Sequence, residues 1–202
     1  INAEYGKQWY QRRVRGNLDW AKFNKVLNSK TDSASKEYRK KEWQALDVNS
    51  NNIVSLAEYD KWLHVKMPEF FYGPHNKYKA AFLKAHNKAK NLSPPPKNVS
   101  QKDKQMLEDF VSFEEFRLLL FYTRQFLEFY SMFDEVDSSD DDKISLQEFK
   151  AAVSKLNKWG ANITNAEAEF SKIDANHGGS ILFTEFLDFC MELDLDRDDD
   201  ID

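Results

Sequence analysis

In three stretches of this 202-residue chain, oxygen-bearing side chains recur at alternate positions, and each stretch closes on a glutamate at its twelfth residue. The first presents Asp47, Asn49, Asn51, Ser55 and Glu58. The next presents Asp137, Ser139, Asp141, Ser145 and Glu148, and the last Asp174, Asn176 and Glu185. Carboxylates, amides and hydroxyls are hard donors. Placed at the first, third, fifth and ninth positions, with a backbone carbonyl at the seventh and a bidentate glutamate at the twelfth, they surround a small divalent cation with about seven oxygens. The seventh-position carbonyls belong to Ile53, Lys143 and Ser180. The sixth residue must turn sharply with φ > 0. Gly179 does so freely, and Asn52 and Asp142 are among the non-glycine residues that best tolerate the left-handed region. Acidic surface loops of chance spacing would have to reproduce this register three times.

The three stretches are not equal. Residues 137–148 carry three carboxylates with every donor position filled, so this is the strongest candidate. Residues 47–58 fill the same positions with only two carboxylates, and the weaker attraction follows from the charge count. In residues 174–185 the fifth and ninth positions are Gly178 and Leu182, which offer no side-chain oxygen, so water must complete the shell and the site is doubtful.

These loops sit inside a longer repeat. The phrase β-branched, x, apolar, x, Glu, aromatic recurs as residues 54–59, 111–116, 144–149 and 181–186, with glutamates spaced by 57, 33 and 37 residues. The last two spacings fit one helix–loop–helix unit each. Apolar pairs stand four and one residues before each loop, Trp43/Leu46, Phe133/Val136 and Phe170/Ile173, which places them on the last turn of an entering helix. Tyr59, Phe116, Phe149 and Phe186 open the exiting helices. The eighth-position residues Val54, Ile144 and Ile181 are expected to pair as short β-bridges between loops. This register resembles that of the EF-hand calcium loop. It implies an all-α fold of two EF-hand pairs with short β-bridges between paired loops, and up to three Ca2+ sites with Mg2+ as the natural competitor. The second copy keeps the closing phrase but has Lys104, Met106 and Glu108 where oxygens are needed. It should not bind calcium, and it is expected to serve as structural partner of the first loop. Its entering helix is expected at about residues 75–92, followed by the linker Ser93-Pro94-Pro95-Pro96-Lys97.

The implied organisation is a basic helical extension at residues 1–33, an N-terminal EF-hand pair at 34–118, a C-terminal pair at 119–190 and an acidic tail at 191–202. Phe113 to Val136 contains neither Pro nor Gly, so the second hand's exit helix is expected to run directly into the third hand's entry helix. Its polar residues Glu114, Arg117, Arg124, Glu128, Ser131 and Glu135 fall on one narrow stripe, and the remainder is apolar enough to require burial on most sides. Charge divides the chain. Up to Lys104 there are 21 Lys/Arg against 10 Asp/Glu, and from Gln105 onward 8 against 24. Such a basic half suits an acidic partner, such as a membrane surface or a tubulin-like acidic tail of the cytoskeleton, or simply the acidic half of the same chain. Nucleic acid is not among the expected partners.

Enzyme signatures are missing: there is no G-x-S-x-G, no phosphate loop, no H-E-x-x-H and no C-x-x-C. The expectation is a non-enzyme. The lone Cys190 excludes an internal disulfide framework and fits a reduced, cytoplasmic setting. The most apolar stretch, 118–133, is broken by Arg124 and Glu128 and is too short of uncharged residues for a membrane span.

Residues 107–202 resemble the flagellar calcium-binding proteins of trypanosomatids, the calflagins, and are similar to calcium-binding proteins of ciliates. The resemblance is carried by Glu108-Asp109-Phe110-Val111, Glu115-Phe116-Arg117-Leu118, residues 132–137, Trp159-Gly160-Ala161 and the tail from Leu193. It implies a calcium sensor of the flagellar compartment, with calcium held by the third and fourth hands, here residues 137–148 and 174–185. The family's N-terminal acylation is not carried over, because no Met-Gly-Cys segment is present. A binding-competent first loop is a second departure. The reading is a calcium sensor of a cilium or flagellum whose helices repack on binding and change its contacts with a ciliary, cytoskeletal or membrane partner. Two rivals stay open: a structural component of a ciliary assembly with stabilising calcium sites, and a calcium buffer or photoprotein-like ligand binder. The acidic tail argues against the photoprotein.

Overall fold

The computed structural model describes residues 19–71, 78–90, 92 and 109–195. Among these, helices α1 (Trp20–Val26), α2 (Ser33–Leu46), α3 (Leu56–Lys66), α4 (Lys79–Ala89), α5 (Phe113–Val136), α6 (Leu146–Lys158), α7 (Ala166–Ile173) and α8 (Phe183–Leu193) alternate with four two-residue strands. The strands are β1 (Ile53–Val54), β2 (Val111–Ser112), β3 (Ile144–Ser145) and β4 (Ser180–Ile181), and a 3-10 turn, Pro68–Phe70, follows α3. The fold is all-α with two antiparallel β-bridges. Val54 faces Val111 in one and Ile144 faces Ile181 in the other, so the eighth-position residues pair as their β-branched character demands.

The loop sequences start the exiting helices as well as closing the loops. Ser55 and Ser145 each accept from the N–H of the glutamate three residues on, and that glutamate accepts from the serine's own N–H, which makes a capping box. Asp32 caps α2 in the same sense, accepting from Ser35 N–H at 2.9 Å, and Asn165 caps α7 through Ala168 N–H at 3.0 Å. Each such cap contributes about 1 kcal/mol to holding a helix end in place.

Two compact units result. The first, Ala21–Phe126, packs Phe23 and Leu27 against the EF-hand helices, with Trp43, Leu46, Tyr59, Leu63, Phe82 and Phe116 all buried. Phe116 of α5 receives the rings of Trp43 at 5.4 Å and Trp62 at 6.3 Å, which ties both helices of the first hand to it. Glu42 on α2 accepts from Trp62 Nε1 at 3.0 Å and pairs with Lys66 at 2.7 Å, a polar strut between α2 and α3. Buried Arg39 donates to the carbonyls of Asn28 and Lys30 at 3.1 and 2.7 Å and fastens the segment between α1 and α2. In the second unit, from Leu127 onward, Phe133 lies 5.6 Å from both Phe183 and Phe186, and Phe149 lies 5.8 Å from Phe170. All six entering-helix residues read from the sequence and all four exit-helix aromatics are buried.

Helix α5 runs without interruption from Phe113 to Val136, as its lack of Gly and Pro requires. Its polar stripe is split in the fold. Glu114 is exposed, whereas Glu128 and Ser131 are buried, and Ser131 donates its hydroxyl to the Glu128 carbonyl at 2.8 Å. Sequence spacing places these residues on one face, but burial of a face is decided by what packs on it. Of the expected second entering helix, α4 is described as Lys79–Ala89, and its expected start at residues 75–77 lies outside the described residues. The linker 93–97, Lys104, Met106 and Glu108, the extension 1–18 and the end of the acidic tail also lie outside them. Among the described residues, no helix is long and apolar enough to cross a membrane.

Candidate metal centres

All three loops are wired alike. In each, the first-position aspartate is buried and its two oxygens accept from the fifth and sixth N–H groups. In the first loop Asp47 takes Asn51 at 3.1 Å and Asn52 at 2.9 Å. Asp137 takes Asp141 at 3.2 Å and Asp142 at 2.9 Å. Asp174 takes Gly178 at 3.0 Å and Gly179 at 2.9 Å. The closing glutamate uses one oxygen to hold the ninth N–H, as in Ser55 to Glu58 at 3.0 Å, Ser145 to Glu148 at 2.9 Å and Leu182 to Glu185 at 2.9 Å. Its other oxygen reaches back across the loop to the third residue. Asn49 Nδ2 donates to Glu58 at 2.9 Å, Ser139 N–H to Glu148 at 2.8 Å, and Asn176 Nδ2 to Glu185 at 2.7 Å. Third and twelfth positions therefore turn toward one another in every loop.

Backbone turns make this possible. The sixth residues Asn52, Asp142 and Gly179 have φ of 63°, 65° and 78°, as their types require. The fourth residues Ser50, Asp140 and His177 are left-handed too, at 57°, 61° and 56°. Nothing in their identities marks them for this except the mild tolerance of Asp and His, so the sequence reading passed over them. It also passed over the capping boxes, whose S-x-x-E signal is visible at Ser55/Glu58, Ser112/Glu115 and Ser145/Glu148.

The electrostatics single out the third loop. Burial pushes Glu148 upward, but donors from Ser145, from the Ser139 N–H and from the Ser138 hydroxyl outweigh it and hold the carboxyl down at about 2. Glu148 is thus a carboxylate at any physiological pH. Burial pushes Asp137 above its usual range, against the N–H groups of Asp142, Asp141 and Asp140, and the charge of Asp141 adds to the rise. A buried carboxylate beside a second one is a group that gains from a cation. Among the described residues, no three His, Cys, Asp or Glu side chains already converge as a metal cluster. Here the donor set is largely amide, hydroxyl and carbonyl oxygen, and the carboxylates face N–H donors.

The fifth position of the fourth loop, Gly178, offers no side-chain oxygen. Asn176 Oδ1 lies 2.5 Å from where a Cβ on Gly178 would fall. The second copy keeps its closing half: buried Glu115 accepts from both the N–H and the hydroxyl of Ser112 at 2.9 Å, next to the Val54–Val111 bridge. Beside that bridge lies buried His86, on whose ring the Val54 backbone acts and whose Nε2 has no hydrogen-bond partner among the described residues. Burial, with the charge of Lys90 adding to it, pushes His86 below its usual range.

Comparison with known proteins completes the picture. Residues 23–123 match the FCaBP EF-hand domain, and residues 126–191 match an EF-hand domain pair. The flagellar calcium-binding protein of Trypanosoma cruzi is 32% identical over 185 residues, covering 91% of this chain and 83% of that protein. The chain belongs to the flagellar calcium-binding protein family. Flagellar calcium-binding protein TB-24 of Trypanosoma brucei brucei is likewise 32% identical over 183 residues, covering 90% of this chain and 78% of that one. The family likeness thus extends back through residues 23–106, where sequence reading found the EF-hand register but no closer kinship. A homolog of programmed cell death 6 protein from Leishmania major Friedlin superposes with a TM-score of 0.38 at 16% identity, over 85% of this chain and 78% of that one, too loosely to inform loop geometry.

Proposed function

We propose that this flagellar calcium-binding protein family member binds Ca2+ in its first, third and fourth loops and acts as a calcium sensor of the flagellum. The observation that carries the reading is the shared wiring, in which a buried aspartate, a left-handed pair and a glutamate folded back to the third residue recur in each loop. The donors fit a hard cation. Asp47, Asn49, Asn51, Ser55 and Glu58 with the Ile53 carbonyl form the first set. Asp137, Ser139, Asp141, Ser145 and Glu148 with the Lys143 carbonyl form the second. Asp174, Asn176, Glu185 and the Ser180 carbonyl, with water at Gly178, form the third.

Ca2+ supplies only charge and a demand for about seven oxygens. The response belongs to the chain. Glu58, Glu148 and Glu185 are each the third residue of the capping turn that starts α3, α6 or α8, so any change in what their oxygens hold moves the start of an exiting helix. A protein partner that reads this repacking completes the sensor. The test is tryptophan fluorescence and near-UV circular dichroism during Ca2+ addition in physiological Mg2+. Trp43 and Trp62 report the first unit, and Trp159 the second. A sensor changes its signal as Ca2+ passes through about 10⁻⁷–10⁻⁵ M. A signal already complete in Mg2+ would make the protein a buffer, and no change at all would leave a static scaffold.

A further inference from the structure

Glu58, the closing residue of the first loop, is followed directly by Tyr59, and Tyr59 is the largest fully buried side chain among the described residues. Its hydroxyl meets Thr123 on α5, 64 residues away in sequence. The single hydrogen of the Thr123 hydroxyl goes to the Leu119 carbonyl at 2.6 Å, so Tyr59 is the donor to Thr123 Oγ1. Its ring is stacked on the buried His86 of α4, with centroids 6.0 Å apart and planes 28° apart. The Val54 backbone of β1 acts in turn on the His86 ring. Loop, bridge and the start of α3 therefore converge on one phenol, and that phenol ends on the helix whose last residue, Val136, precedes Asp137 of the third loop.

We infer that Tyr59 and Thr123 form a coupling contact that carries the state of the first loop into α5, and through that helix to the entry of the third loop, with His86 as a positioning residue that keeps the Tyr59 ring in register with β1. This rests on the reading of both loops as calcium sites. Chemistry favours a switchable contact at this point. A Tyr–Thr hydrogen bond in a dry interior is directional, so a shift of the α3 start breaks or re-aims it, whereas a purely apolar contact would slide. Removing the phenol hydroxyl costs little otherwise, since Thr123 keeps Leu119 as its acceptor and no buried donor is orphaned.

Two readouts on the full chain test it. Glu58→Gln weakens the first loop, and Ca2+ titration calorimetry then reports whether the third loop notices. The third-loop dissociation constant is expected to weaken at least about fivefold relative to the unsubstituted chain. With Tyr59→Phe in both proteins, that ratio is expected to fall to within about twofold. In the calcium-free chain, Glu58→Gln is expected to speed amide hydrogen exchange around Thr123 in α5, and Tyr59→Phe to abolish that response. Thr123→Val, which removes the same bond from the other side, gives the same two results. The inference is overturned if either response survives loss of the hydroxyl, or if neither response exists to be abolished. If Glu58→Gln removes no calcium site, the reading of the first loop fails and this inference falls with it, which is a distinct outcome from two intact sites that ignore each other.

Discussion

At the scale of single residues, charge count and turn geometry decide which loop holds a cation best. In the fourth loop the fifth position is Gly178, with Asn176 Oδ1 2.5 Å from where its Cβ would fall. Gly178 is outside the left-handed region, so an aspartate is permitted once the end of the Asn176 side chain swings away. Gly178→Asp is expected to tighten the fourth site on the order of tenfold, read by calorimetry, because each added ligand charge raises affinity. Glu148 gives a pH signature. Its carboxyl, normally near 4.5, is held at about 2 in the folded chain, so the stability it contributes is present above pH 4.5 and is lost as pH falls toward 2. Asp137 is shifted upward and works in the opposite direction. Denaturant unfolding of the calcium-free chain at pH 5 and pH 3 should therefore show a smaller loss for Glu148→Gln, which has no such group to titrate, than for the unsubstituted chain.

At the scale of elements, loops are legible from sequence because ligand chemistry fixes residue type at each position. Asp47, Asp137 and Asp174 could be numbered as first positions, and their twelfth-position glutamates, eighth-position β-branched residues and sixth-position turns followed. The fold has each of them where the register put it. Helix α5 was legible for a different reason, the absence of Gly and Pro from Phe113 to Val136. The fourth-position turns at Ser50, Asp140 and His177 were not legible, because a non-glycine residue carries no sign that the chain around it demands φ > 0. The Tyr59–Thr123 bond and the place of His86 were hidden for a third reason. They join segments dozens of residues apart, and no periodicity records which buried polar groups will meet. Packing of the exit-helix aromatics is more predictable. Phe149 is fully buried and set edge-on to Phe170, so Phe149→Ala is expected to cost about 3–5 kcal/mol in denaturant unfolding.

At the scale of the whole molecule, the acidic half carries the loop with three carboxylates at its donor positions, and its 24 Asp/Glu against 8 Lys/Arg repel one another until counter-charge arrives. Ca2+ that binds the folded chain and not the unfolded one must raise the melting temperature in a concentration-dependent way. Stabilisation should reach about 2.7 kcal/mol when free Ca2+ is a hundredfold above a site's dissociation constant, measured by calorimetric scans at several Ca2+ levels. The family relatives at 32% identity place the chain among flagellar calcium-binding proteins, while its loops say which residues would do the binding. The most direct test of that claim is a calorimetric Ca2+ titration of the chain in physiological Mg2+, repeated with Glu58→Gln and with Glu148→Gln. Two or three sites, with one lost in each variant and the tighter one lost with Glu148, is the result the loop wiring predicts. An unchanged stoichiometry in both variants, or no Ca2+ heat at all, would contradict it.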